Sequence, residues 1–240
     1  MVDAHYTEPR LAALYDPLES DRPDLEVYAA MAAEFGARSV LDIGCGTGTF
    51  ACLLASRGLS VTGLDPALAS LDIARAKPFG DRVRWVRGTV DALPFLQVDL
   101  VTMTGNVAQV FLTDEEWLAV LAAARAALRP GGRLVFETRD PARQAWLGWD
   151  HPYAETVIPG VGAVRSRRDV TGVSGEFVSF LVTYVFESDG AVLTADSTLR
   201  FRGRQAVLDS LAASGFTTDE IRDAPDRPGL EWVFIATPAL

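Results

Sequence analysis

Residues 38–65 read Arg-Ser-Val-Leu-Asp-Ile-Gly-Cys-Gly-Thr-Gly-Thr-Phe-Ala-Cys-Leu-Leu-Ala-Ser-Arg-Gly-Leu-Ser-Val-Thr-Gly-Leu-Asp. Ser39 to Ile43 is a short apolar run with β-branched members, the mark of a buried strand. Gly44, Gly46 and Gly48 follow at once. From Thr49 to Arg57 the apolar residues Phe50, Leu53 and Leu54 recur at helical spacing. Ser60 to Leu64 is a second strand, closed by Asp65. Strand, glycine turn, helix, strand and acid make one right-handed βαβ unit.

Each part of that unit suits a nucleoside-containing ligand. Glycine lets the chain turn sharply and lets a ligand approach the main chain. The helix that follows offers free N–H groups and the positive end of its dipole. An acid at the end of the second strand can accept hydrogen bonds from ribose hydroxyls. No Gly-Lys-Ser/Thr follows, which excludes a nucleotide-triphosphate loop. In the dinucleotide fingerprint G-x-G-x-x-G/A the third small residue falls where this chain has Thr49, and its glycine comes one position early, at Gly48.

Val-Leu-Asp-Ile-Gly-Cys-Gly-Thr-Gly (40–48) closely resembles the first motif of class I S-adenosylmethionine-dependent methyltransferases. Later segments extend the likeness. Val98 to Met103 is a strand opened by an acid and closed by Thr104-Gly105-Asn106, similar to a second core motif of that family. Leu-Arg-Pro-Gly-Gly (128–132) before a fifth strand is also typical of it. The resemblance implies a Rossmann-like α/β fold with a seven-stranded, mostly parallel sheet, helices on both faces, and S-adenosyl-L-methionine as methyl donor, leaving as S-adenosyl-L-homocysteine. It implies a cofactor site formed by Asp42, Gly44, Cys45, Gly46, Gly48, Asp65, Pro66, Thr89, Val90, Thr104, Gly105 and Asn106. One departure stands out: where the family's adenine loop often has an acid, this chain has Thr89, with Asp91 two positions on. Tyr15 and Asp16 look like the Tyr-Asp pair with which an N-terminal arm closes over the cofactor in this family, and Tyr15 joins the expected site.

Composition bounds the rest. The 240 residues are 49% hydrophobic, enough for one α/β core with a modest addition. The net charge is −10 and the one lysine is Lys77, a balance that disfavours a nucleic-acid partner. No apolar run reaches the ~18 residues of a membrane span. The first residues lack the basic and apolar regions of a leader, so a cytoplasmic protein is expected. Cys45 and Cys52 have no metal or disulfide spacing, and no metal site is expected.

Outside the core the chain divides in two. Residues 1–35 are expected to be an arm and a helix, with Asp24 as cap. After Glu137 the pattern changes. Val178, Phe180, Val182, Tyr184 and Phe186 alternate with polar residues, as do Ala191, Leu193, Ala195, Leu199 and Phe201, and Ser188-Asp189-Gly190 joins the two runs as a hairpin. Val161 to Val170 is expected to add a strand. An antiparallel sheet over 140–202 is therefore expected to be inserted into a core of residues 36–139 and 203–240, above its carboxyl strand ends.

The expected reaction is in-line methyl transfer to a nitrogen or oxygen of a small-molecule acceptor, by a monomer or homodimer. A protonated acceptor needs a base. His151, one of two histidines, is the candidate, with Asp150, Tyr153 and Glu155 as alternatives. Arg165, Arg167 and Arg168 either bind an anionic acceptor or line a solvated strand face. A rival reading, a nicotinamide-dependent oxidoreductase, requires a third glycine at position 49 and a Tyr-x-x-x-Lys pair, and neither is present. A second rival is a cofactor-binding protein of the same fold without turnover.

Overall fold

Strand β1 (Ser39–Ile43) is buried from Val40 onward, as a central strand covered on both faces must be. It pairs in parallel with β2 (Ser60–Asp65) on one side and with β4 (Val98–Met103) on the other. The β3 strand (Val83–Arg87) lies outside β2, and β5 (Leu128–Arg139) outside β4. Two antiparallel strands, β11 (Glu231–Pro238) and β10 (Phe216–Asp223), complete the order β10-β11-β5-β4-β1-β2-β3. The order reverses between β1 and β4, and the carboxyl side of such a switch point is where open α/β sheets bind ligands. The computed structural model describes residues 3–239; residues 1, 2 and 240, the expected ends of the arm and the core, lie outside it.

Alternation along the strands divides the core into two layers. Leu41, Ile43, Val101, Phe136 and Phe234 pack against α6 (Asp114–Ala127) and α7 (Arg204–Ala213). Val40, Val61, Leu100 and Ile235 face α3 (Asp24–Glu34) and α4 (Thr49–Ser56). The α5 helix (Leu68–Ala76) flanks β2 and β3. Helix α6 starts at a capping box, in which Thr113 Oγ1 accepts from the Glu116 N–H at 3.1 Å and Glu116 accepts from the Thr113 N–H at 3.2 Å. Such a cap stabilises a helix by about 1 kcal/mol. Phe136 and Phe234 stack at 5.2 Å, with the Trp117 ring edge-on to Phe136 at 5.4 Å.

Between β5 and α7 the chain builds a second, antiparallel sheet of β6 (His151–Ile158), β7 (Gly162–Ser174), β8 (Phe177–Phe186) and β9 (Val192–Arg200). The expected hairpin is β8–β9. Its inner face, with Val182, Tyr184, Phe186 and Ala195, packs on Leu11 and Leu14. Those leucines belong to α2 (Pro9–Leu18), which follows the short α1 (Ala4–Thr7); the arm is helical, with Pro9 in its first turn.

Two further features differ from the sequence reading. Strand β6 was not foreseen. Asp24 does not cap α3: Pro23 occupies that position, and the Asp24 carboxylate instead takes the Arg22 guanidinium at 2.7 Å.

Candidate active site

The glycine turn is held by β2. The Leu64 carbonyl accepts from the N–H groups of Gly44 (2.8 Å) and Cys45 (3.1 Å). All three turn glycines have positive φ, at 70°, 51° and 77°, which side chains disfavour. Their surroundings differ. A Cβ at Gly44 would strike Val107, and one at Gly48 would strike the Trp85 ring and Ala74, so both are packing glycines. A Cβ at Gly46 would meet nothing within 4 Å. Gly46 is thus the turn residue with free space beside its backbone.

Asp65 closes β2 next to that space. Its carboxylate accepts from the N–H groups of Gly46 at 2.9 Å and Ala67 at 2.8 Å, and Pro66 between them is half-buried. Burial raises the Asp65 pKa, against those two hydrogen bonds. Across the switch point, Asp42 on β1 accepts from Thr102 Oγ1 on β4 at 2.8 Å. Burial pushes the Asp42 pKa up to about 7. Burial likewise raises the Cys45 thiol well above its usual range, which makes it a packing group rather than a nucleophile.

At the end of β4, Gly105 also has open space where a Cβ would stand. The Gly105 and Asn106 N–H groups donate to Glu137 at the end of β5, at 2.6 and 3.1 Å, and Tyr28 donates to the same carboxylate. Asn106 holds a left-handed φ of 61° and donates from Nδ2 to Glu231 at 3.0 Å, while its buried Oδ1 has no partner among the described residues. Thr104 leads into this turn. Thr89 and Val90 follow β3, where Gly88 N–H donates to the Asp65 carbonyl at 3.0 Å. The structure therefore brings the expected residues of the four strand ends to one edge of the sheet.

The arm lies over that edge. Asp16 accepts from Thr47 Oγ1 at 2.7 Å and from Thr49 Oγ1 at 3.2 Å, and pairs with Lys77 at 2.6 Å. The Tyr6 carbonyl accepts from Ser70 Oγ at 3.0 Å. Behind this latch the rings of His5, Tyr6 and Tyr15 cluster at centroid distances of 5.1 to 6.0 Å. His5 Nδ1 lies 3.0 Å from Tyr184 Oη of the inserted sheet. Burial lowers the His5 pKa, with Asp3 opposing and Arg168 adding to the effect.

His151 opens β6 opposite Arg168, with Nδ1 2.9 Å from its own neighbour's carbonyl, Pro152 O. No residue of the strand-end site bonds to it. The histidine that the structure sets beside the arm's tyrosines is His5, which sequence reasoning passed over because nothing in the arm has a periodic signal. Glu137 was missed too, although its place at the end of a parallel strand is the signal that could have found it. The arginine cluster separates: Arg165 pairs with Glu187 and Arg167 with Asp169, whereas Arg168 has no ion pair among the described residues. No group of three or more metal-ligating side chains occurs among the described residues.

Comparison with known proteins covers the same elements. Residues 40–132, from β1 into β5, match the family described as a methyltransferase domain. The cypemycin N-terminal methyltransferase of a Streptomyces species is 36% identical over 114 residues, 47% of this chain and 46% of that protein. The chain thus spans about half the length of the curated relatives it matches. Among solved structures, an S-adenosylmethionine-dependent methyltransferase from Clostridium acetobutylicum shares the fold over 96% of this chain and 98% of its own, with a TM-score of 0.77 at 14% identity. An amino pentose methyltransferase from Micromonospora echinaspora does so over 91% of each chain, with a TM-score of 0.71 at 24% identity. The acid-closed glycine turn, the strand order and the matched domain agree: over residues 40–132 this chain is similar to the methyltransferase-domain family, and its fold is that of the solved S-adenosylmethionine-dependent methyltransferases.

Proposed function

We propose that this protein transfers a methyl group from S-adenosyl-L-methionine to a nitrogen or oxygen of a small-molecule acceptor. The observation that carries the reading is the open cradle at Gly46 beside the buried carboxylate of Asp65, with the unpartnered Oδ1 of Asn106 just past the end of the neighbouring strand β4. A ligand with ribose hydroxyls at one end and an ammonium group at the other fits those groups. Asp65 would take the ribose, and Gly44, Gly46 and Gly105 would lend main-chain surface. Asp42, Cys45, Gly48 and Thr102 would shape the turn from behind. Thr89 and Val90 would border the adenine, and Pro66, Thr104 and Asn106 would complete the wall. Residues 1–35, with Tyr15, form the lid in this reading. Residues 36–139 and 203–240 form the core, and 140–202 cover the acceptor.

The bound cofactor supplies an electrophilic methyl carbon with a good leaving group. The protein's part is to bring the acceptor into line and exclude water, which can lower a barrier by up to ~7–11 kcal/mol. The lid and inserted sheet close the strand ends for that purpose. His5 is the base in this arrangement. Its lowered pKa keeps the ring neutral near pH 7, and with Nδ1–H donating to Tyr184 Oη, Nε2 is free to accept the acceptor's proton. The Streptomyces relative, named as an N-terminal methyltransferase, favours nitrogen. The net charge of −10 supports an acceptor other than nucleic acid. No described helix is long and apolar enough to cross a membrane. We place the activity in the cytoplasm, in a monomer or homodimer.

Thermal unfolding with S-adenosylhomocysteine, NAD or NADP tests the cofactor. Ligand at about 100 times its Kd stabilises by about 2.7 kcal/mol, several degrees for a chain of this size. A shift with S-adenosylhomocysteine alone is expected; a shift only with NAD or NADP overturns the reading. Methyl transfer from labelled donor to a panel of amines and phenols then tests turnover.

A further inference from the structure

Resting on that reading, we infer that the acceptor carries an anionic group, carboxylate or phosphate, and that Arg168 binds it on the inner face of the inserted sheet. On β7, Val164, Ser166 and Arg168 stand opposite Phe186, Tyr184 and Val182, whose side chains are buried against the arm. Arg168 therefore points inward, while Arg165 and Arg167, on the other face, are neutralised by Glu187 and Asp169. Its guanidinium lies over Phe180 at 5.4 Å and Trp149 at 5.9 Å from the ring centroids. Its Nε is buried without a hydrogen-bond acceptor, and no described carboxylate pairs with it. The aromatic faces hold this half-buried guanidinium in place, and with no carboxylate paired to it among the described residues its charge is available to an anionic ligand.

Arg168 also sits at the right place. The Trp149 ring that it covers is shared, at 5.4 Å, with Arg139 from the end of β5. Glu231 is already paired with Arg139 at 3.2 Å and with Arg227 at 2.8 Å, so that acid is not free for Arg168. On the other side, Arg168 stands opposite Val182, next along the same face from Tyr184, whose Oη lies 3.0 Å from His5 Nδ1. The guanidinium thus stands between the base and the carboxyl end of the core sheet. Its planar fork matches a carboxylate or a phosphate by paired hydrogen bonds, and the rings beside it suit an apolar body.

The test is calorimetric titration of the full chain, with and without saturating S-adenosylhomocysteine, using benzoate, phenyl phosphate and the neutral benzamide as probes. At least one anion is expected to bind tenfold or more tightly than benzamide, and the better anion tells carboxylate from phosphate. Arg168→Gln should abolish the preference in a chain that stays folded by circular dichroism and still binds S-adenosylhomocysteine. Arg167→Gln should keep the preference. Equal affinity of wild type for all three probes overturns the inference without recourse to any variant. So does a preference that survives Arg168→Gln, or one lost equally in Arg167→Gln. S-adenosylhomocysteine binding measured in the same samples separates the two failures: binding without anion preference removes this inference alone, and no binding removes the methyl-transfer reading.

Discussion

The two halves of the site are made of different material. Beneath, at the strand ends, the proposed cofactor side is mostly main chain: an open glycine, N–H groups tied to Asp65 and Glu137, and a turn at Asn106. Above, on the arm and the inserted segment, the proposed acceptor side is made of side chains: His5, Tyr184, Trp149 and Arg168. A ligand held by main chain depends on one fixed loop shape, and the lower half suits a cofactor common to a family. Side chains can be exchanged without moving the backbone, and the upper half suits an acceptor peculiar to one member.

The contrast is sharpest at the glycines. Gly46→Val should leave a folded protein by circular dichroism that has lost S-adenosylhomocysteine affinity by ~100-fold or more, about 2.7 kcal/mol. Gly48→Val should instead lower stability by about 1–3 kcal/mol, since its side chain collides with Trp85 and Ala74. If Gly46→Val still binds, the lower half is misassigned.

In the upper half, His5→Gln should cut kcat by on the order of 10²-fold with cofactor affinity unchanged, the usual loss for a general base, while His151→Gln should change it less than about threefold. The His5-dependent limb of kcat/KM should lie below pH 6.5, because the His5 pKa is lowered. A larger effect at position 151 would transfer the base to β6.

Asp65→Ala should weaken S-adenosylhomocysteine by about 1–3 kcal/mol and leave acceptor KM unaltered, since it belongs to the lower half alone. The smallest effect belongs to Asp42. Its folded pKa, about 7, is raised above the unfolded value of about 3.9, so the folded state holds the proton more firmly. That contribution is fully present below pH ~4 and is lost as pH rises through about 7. Between pH 6 and 8 the loss is roughly 1 kcal/mol, a few degrees in Tm. Asp42→Asn should flatten that slope without changing acceptor preference.

The same division decided what could be read before the structure was known. Residues 38–65 were legible because glycine spacing, strand length and a terminal acid are local signals of a backbone shape. The β8–β9 hairpin was legible because one face is buried and the alternation is clean. Strand β6 was not. It is an edge strand with Pro152 near its start, and the run from Pro152 to Glu155 is exposed on both faces, so no period marks it. His5 and Arg168 gained their surroundings only when segments far apart in sequence met. Arg165, Arg167 and Arg168 are alike as letters; strand pleat alone separates the two paired arginines from the unpaired one.

The ion pair between Arg10 and Asp189, at 3.0 Å, joins residues 179 positions apart. Helix α2 leaves the ribosome early, but the hairpin that covers Leu11 and Leu14 is made only after residue 200 has been added. At synthesis rates of about 5–20 residues per second, those leucines wait for ten seconds or more without their partner. Closing so long a loop is slow compared with forming the βαβ unit. The packing of α2 on the hairpin therefore forms well after the glycine-turn unit, and a chaperone that shields α2 would act on that late step.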